Sequence, residues 1–256
     1  MQKLRKISNK ELKNILELHK KWLNEEKDGK RANLSYVDLA GVDLSYTDLR
    51  NVDLSYTDLS CANLIGTNLI DADLSYVNLK GAKLINANLT FTNLKGAKLI
   101  STNLKGTDLR YVDLTGVDLS YANLSYTDLT SCDLTNANLS YVDLSYVNLT
   151  NADLTNCDLT NAKLRYADLT SAILIGVNLK GANLYKTKLF YAKVDNMINI
   201  GNLGNEKRTA YYFYKEDRVI CGCFDGTLEK FEEAVSKKYD KDSNYYIAIN
   251  TFKNIK

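Results

Sequence analysis

A leucine recurs at every fifth position from Leu34 to Leu189 without a miss, and Val194 closes the series. That makes 33 consecutive five-residue units with no insertion or deletion. An α-helix advances about 100° per residue, so a five-residue step turns a net ~140° and successive leucines would form no stripe. A plain strand fails too, because side chains alternate faces and five is odd. The period is consistent only if the chain turns a corner in every unit, so that each leucine points inward.

The other positions agree. Two residues before each leucine come only Ala, Val, Thr or Cys, from Ala32 to Ala192, which implies a tight interior slot. Between them sits Asp or Asn in most units, with Lys83, Lys98, Lys163, Ile173, Lys188 and Lys193 as departures. The two positions after the leucine are mostly polar and are expected to face outward, Ser120 among them. One unit cannot bury its own leucine, but stacked units can, so the pattern specifies a solenoid held by nearest neighbours. Burying each leucine contributes roughly 1.5–3 kcal/mol before chain entropy opposes it. The chain has no proline, which suits coils whose backbone donors face partners on both sides.

Strings such as ANLSYVDLAGVDLSYTDL, beginning at Ala32, resemble the pentapeptide-repeat proteins, whose unit is A(D/N)LXX. The resemblance covers residues 32–194. It implies an all-β solenoid, a right-handed quadrilateral β-helix with four units per coil and coils about 4.8 Å apart.

The flanks follow other rules. In residues 1–30, Ser8 and Glu11 form a capping box. Leu12, Ile15, Leu16, His19, Trp22 and Leu23 then fall on one helical face, and Gly29 is a natural stop. This predicts an N-terminal capping helix over the open first coil, since an exposed solenoid end invites aggregation. The repeat occupies 31–195. In residues 196–256, stretches 208–214 and 218–224, joined around 215–217, read as a β-hairpin. Thr227 caps a helix with Leu228, Phe231, Ala234, Val235 and Tyr239 on one side, and a second helix is expected from about 243 to 255. This small C-terminal α+β module, ββαα in order, is either a second cap or a dimerisation module. Its aromatics, such as Tyr211, Tyr214, Phe224 and Tyr246, exceed what a cap needs. The resemblance points to dimerisation, because topoisomerase-protecting members of the family commonly dimerise through this end.

Charge and cysteine usage narrow the function. The net charge is +2, too small for a dedicated nucleic-acid binder, so no direct nucleic-acid contact is expected. No apolar run reaches membrane-spanning length, so no membrane partner is expected, and the Lys-rich amino terminus lacks the apolar stretch of a signal peptide. Five scattered cysteines suggest free thiols and a cytoplasmic setting rather than a disulfide framework. The one histidine, His19, has no nucleophile or orienting acid beside it. Cys221 and Cys223, two apart in the expected strand, share a face but supply only two of the ligands zinc needs. Cys132 and Cys157 occupy the small interior slot. No catalytic residue, metal or cofactor is assigned.

What remains is a surface. With four units per coil, residues twenty apart stack, so Asp113, Asp133 and Asp153 align in one column, and Asp53 and Asp73 lie lower in it. The column is either the ordinary Asp/Asn position of the unit or an anionic strip imitating DNA phosphates. Tyrosine fills eleven positions two after the leucine; Tyr36, Tyr56 and Tyr76 stack on one side, and Tyr126, Tyr146 and Tyr166 on the opposite side. These are ladders between coils or an aromatic contact stripe, tyrosine being enriched in interface cores. Charge alternates along the repeat: −5 over 31–79, +5 over 80–110, −7 over 111–162 and +4 over 163–195. The expected role is a non-enzymatic protein-interaction scaffold. The alternative is a DNA-mimicking binder of DNA gyrase or topoisomerase. The positive bands, and the lack of the coil-interrupting loop many such members carry, argue against that activity.

Overall fold

Each five-residue unit supplies one side of a square coil. The computed structural model describes residues 3–195, 197–203, 208–214, 217–222, 224–240 and 243–254. The residue before each leucine pairs in parallel with its counterpart twenty residues on, from Asn33 with Asp53 to Ile173 with Lys193. Four units per coil therefore hold throughout. One rung is absent: Asn93 does not pair with Asp113.

Backbone donors can be followed around one unit. The leucine N–H donates to the coil ahead, as Leu34 to the Asp53 carbonyl at 2.8 Å. The Asp or Asn N–H donates to the coil behind, as Asp53 to Ala32 at 3.3 Å. The second residue after the leucine also donates ahead, as Tyr36 to Ser55 at 3.0 Å. The small residue closes a turn, as Val42 to Leu39 at 3.1 Å. One N–H is left over, and the Asp or Asn side chain takes it: Ser45 donates to Asp43 Oδ1 at 2.9 Å. This Asx turn gives the Asp/Asn preference a local cause. The third turn residue is left-handed from Tyr36 (φ 57) to Tyr191 (φ 58), as a turn of this kind requires.

The leucines fill the interior and are almost wholly buried. Inward threonines satisfy their hydroxyls on the coil behind: Thr57 Oγ1 donates to the Leu34 carbonyl at 2.6 Å. Cys132 and Cys157 turn their thiols to the Leu109 and Leu134 carbonyls in the same way. Ser120 differs from expectation. It is only 7% exposed, because a short side chain between rungs about 4.8 Å apart does not reach past its neighbours.

Residues 1–183 and 188–193 form one compact unit. Its amino-terminal arm, β1 (Arg5–Lys6), pairs in parallel with β2 (Val37–Asp38) in the first coil. Helix α1 (Asn9–Leu23) follows, and Ser8 Oγ accepts from the Glu11 N–H at 3.1 Å. The capping box is only half made, because the Glu11 carboxylate pairs with Arg5 at 2.7 Å instead. Leu12 and His19 are buried, while Trp22 is 36% exposed and stacks on His19 at 5.6 Å. Gly29 does not end the helix. The chain leaves at Asn24, whose N–H donates to the Lys20 carbonyl, and Glu25 turns left-handed. Gly29 instead returns against α1, where a Cβ would lie 2.3 Å from the Trp22 nitrogen.

Residues 184–187 and 194–256 form the second unit. It holds four antiparallel strands in chain order, β3 (Met197–Leu203), β4 (Arg208–Phe213), β5 (Arg218–Cys221) and β6 (Phe224–Gly226). Helices α2 (Leu228–Ser236) and α3 (Asn244–Lys253) follow, with Thr227 accepting from the Lys230 N–H at the start of α2. The hairpin and both helices fall where the sequence puts them, but the order is ββββαα rather than ββαα. Strand β3 escapes a sequence reading because Asn199, Gly201 and Asn202 interrupt its apolar residues. The expected second strand splits at Gly222 (φ 61), which turns it into a second hairpin. Cys221 thus ends a strand. Cys223, residues 215–216 of the hairpin link and residue 255 of the expected second helix lie outside the described residues. The core gathers Leu203, Tyr212, Val219, Phe231, Tyr245 and Phe252. Most of the module's aromatics are therefore covered within it; of its described large apolar side chains, Tyr214 and Ile247 are exposed.

Candidate interaction surface

Every aspartate of the coils except Asp71, which stands at a left-handed corner, sits where the Asx turn needs an oxygen acceptor, so one carboxylate oxygen is committed and the other faces out. Asp113, Asp133 and Asp153 each accept a backbone N–H at 2.9 Å, from Thr115, Thr135 and Thr155. The hydrogen bonds from Thr115 hold the Asp113 carboxyl below the usual carboxylate range.

Elsewhere on the coils the stacked charges are relieved. Asn63 donates to Asp43, Asn78 to Asp58 and Asn138 to Asp118, each at 3.1 Å. Lys163 lies 3.6 Å from Asp143, and Lys188 lies 2.9 Å from Asp168. The column 113–133–153 has no such contact: its three members pair as consecutive rungs and form no ion pair among the described residues, although the Lys95 charge also acts on Asp113. Neighbouring carboxylates at this spacing repel by roughly 1 kcal/mol, so the column is a local concentration of negative charge, relieved at its Asp113 end by Lys95.

The tyrosines stand at the left-handed corners and stack from coil to coil. Tyr126 and Tyr146 are 4.9 Å apart at 3°, and Tyr146 and Tyr166 are 4.8 Å apart at 8°. Tyr36, Tyr56 and Tyr76 repeat this at 4.7 and 4.8 Å. Tyr76 leans toward the next coil. At the end of the second ladder Gly96 makes room, since a Cβ there would lie 2.6 Å from the Tyr76 ring. Parallel stacking hides ring faces and presents ring edges and hydroxyls. The Tyr126 ladder carries cations, with Lys105 Nζ 5.4 Å and the Arg165 guanidinium 5.9 Å from ring centres.

The two candidate sets are not brought together. Asp113, Asp133 and Asp153 line one side of the square, whereas Tyr126, Tyr146 and Tyr166 occupy a corner of the opposite side in the same three coils. One flat partner cannot cover both. Sequence reasoning missed the cations at the tyrosine corner, although the twenty-residue register alone puts Lys105 one coil below Ser125, beside Tyr126.

The remaining candidate chemistry is structural. His19 is buried, and its Nδ1 accepts the Ala32 N–H at 3.2 Å. Burial lowers its pKa, partly opposed by the Asp48 charge and the Arg50 backbone. Burial pushes the Cys132 and Cys157 thiols up to about 12 and Cys221 to about 11. Among the described residues, no three His, Cys, Asp or Glu converge as a metal site would need. No described helix is long and apolar enough to cross a membrane.

The profile for pentapeptide repeats matches the chain in overlapping copies spanning residues 32–189. HetL, a pentapeptide repeat protein involved in heterocyst differentiation regulation in the cyanobacterium Nostoc sp. strain PCC 7120, is 36% identical over 62% of this chain and 75% of its own, with a TM-score of 0.40. A trypsin-treated form of QnrB1, a plasmid-mediated fluoroquinolone resistance protein, is 20% identical over 62% of this chain and 82% of its own, with a TM-score of 0.55. A pentapeptide repeat protein of the Arabidopsis thaliana thylakoid lumen is 30% identical over 47% of this chain and 66% of its own, with a TM-score of 0.23. Among curated proteins, none matches the chain. The square coils, with four units to the turn, are the right-handed quadrilateral β-helix of these repeats. The chain belongs to the pentapeptide-repeat family.

Proposed function

We propose that the chain is a non-enzymatic interaction scaffold that recognises proteins through the sides of its coils. The observation that carries this reading is the pairing of a rigid backbone register with two ladders, the carboxylates of Asp113, Asp133 and Asp153, each with one oxygen outside its Asx turn, and the stacked ring edges of Tyr126, Tyr146 and Tyr166. Tyrosine ladders present large area at low entropic cost, and a regular charged column supplies orientation. The buried His19 and the raised thiols of Cys132 and Cys157 favour binding over catalysis. The four described cysteines are free, which supports a reducing, cytoplasmic setting. Capture from a native lysate tests the reading, using the full chain beside D113N/D133N/D153N and Y126N/Y146N/Y166N. A bound protein lost with either set supports it; identical capture by all three forms overturns it.

A second reading, mimicry of DNA toward gyrase or topoisomerase, has the same acidic column in its favour. The positive bands at 80–110 and 163–195 oppose it, because a phosphate mimic needs continuous negative charge. No inhibition or protection of gyrase is expected at submicromolar protein in a supercoiling assay; potent inhibition would restore this reading and make 111–162 the site.

A further inference from the structure

We propose that a second copy of this chain is itself a partner, docking side by side with its coils parallel, so that the aspartate column of one meets the tyrosine corner of the next. The inference deepens the scaffold reading and rests on it.

Three features on opposite sides of one solenoid fit each other. The first is spacing. Tyr126, Tyr146 and Tyr166 repeat at 4.8–4.9 Å, and Asp113, Asp133 and Asp153 repeat with the bridged coils, about 4.8 Å apart. An extended peptide repeats its same-face side chains at about 6.6–6.8 Å and would lose step with either ladder. Another square solenoid keeps step.

The second is coil number. Asp113 and Tyr126 share one coil, as do Asp133 with Tyr146 and Asp153 with Tyr166. Sliding one copy sideways, with an axial shift of less than one coil spacing, therefore sets three aspartates opposite three tyrosines.

The third is chemistry. The hydroxyls of Tyr126 and Tyr146 make no hydrogen bond among the described residues, and each carboxylate keeps one oxygen outside its Asx turn. A phenol donating to a carboxylate is a charge-assisted bond. Lys105 over Tyr126 adds positive charge to the face that meets the acidic column.

Because the two patches differ, the contact is heterologous. Each copy keeps a free acidic side and a free tyrosine corner, so association continues past the dimer.

Light scattering and sedimentation of the full chain test this. Asp113→Asn, Asp133→Asn and Asp153→Asn together remove the charge while keeping the turn acceptor, as Asn does in neighbouring units. Tyr126→Asn and Tyr146→Asn remove the phenols with a residue that tolerates left-handed backbone. At low salt the wild type should exceed dimer mass as concentration rises, and about 0.5 M salt should weaken association at least about tenfold. Each variant alone should be monomeric. Their equimolar mixture should give a 1:1 dimer that grows no further, since each supplies the patch the other lacks. A wild type that stays monomeric at hundreds of micromolar overturns the proposal, as does a closed dimer or association that both variants retain. Lysate capture run on the same variants keeps the outcomes apart: a foreign partner lost with them would leave the scaffold reading standing without self-docking.

Discussion

His19 takes over a role that repeats play for one another. Within the coils, the N–H of each small residue finds the leucine carbonyl three positions back, but Ala32 has only Gly29 there, and the imidazole supplies the acceptor. His19→Ala should cost about 1–3 kcal/mol by stranding a buried donor, read as a lower melting temperature. The ring must be neutral at Nδ1 to accept. A histidine with a lowered pKa is charged in the unfolded chain before the folded one, so its contribution is complete above about pH 6.5 and is lost as pH falls below it. Melts should fall between pH 7.5 and 5 for the wild type. His19→Asn, whose Oδ1 mimics Nδ1, should remove that dependence, and an unchanged slope would show that another group titrates. The thiols give a second check. With pKa values near 12, Cys132 and Cys157 hold about three orders of magnitude less thiolate than an ordinary cysteine. A maleimide should label exposed Cys61 well before either, and early loss of Cys132 in a peptide map would contradict the burial.

At the scale of one unit, core and turn have separable costs. Leu114→Ala should lose about 2–5 kcal/mol, as an inward leucine leaves a cavity between coils. Asp113→Asn should be nearly neutral and Asp113→Ala clearly worse, because only the first keeps an acceptor for the Thr115 N–H; urea midpoints distinguish them. This unit was legible in the sequence because its period leaves one geometric solution. The helix α1 was legible from Ser8 and its apolar face, yet its end was not: Gly29 looks like a stop but serves a close return against Trp22. Strand β3 was illegible because Asn199 and Gly201 carry a turn's composition, and its partner β4 decides the matter. The candidate surface was half legible. The twenty-residue register gave both columns, but that Asn78 and Asn138 donate to their neighbours while Asp113, Asp133 and Asp153 form no ion pair among the described residues depends on side-chain direction.

For the whole molecule, the covered aromatics of the C-terminal module change what a dimer there would rest on. Tyr212, Phe231, Tyr245 and Phe252 belong to its core, so among the described side chains a contact through the module would rely on Tyr214 and Ile247. Tyr214→Ser with Ile247→Ser should leave the sedimenting mass unchanged if association runs through the coils; a drop to monomer would return the contact to the module. The constant unit length has a consequence of another kind. Every coil is a four-step dial, and five residues are one step. Deleting 20 residues from the middle, such as 111–130, would shorten the column and leave every later side chain pointing as before. Deleting five, such as 116–120, would keep leucine above leucine yet swing everything downstream through a quarter turn. Changes in gene length that spare the core can thus re-aim one half of the surface against the other, and a solenoid of this kind can acquire a new pattern of contacts without altering a single contact residue.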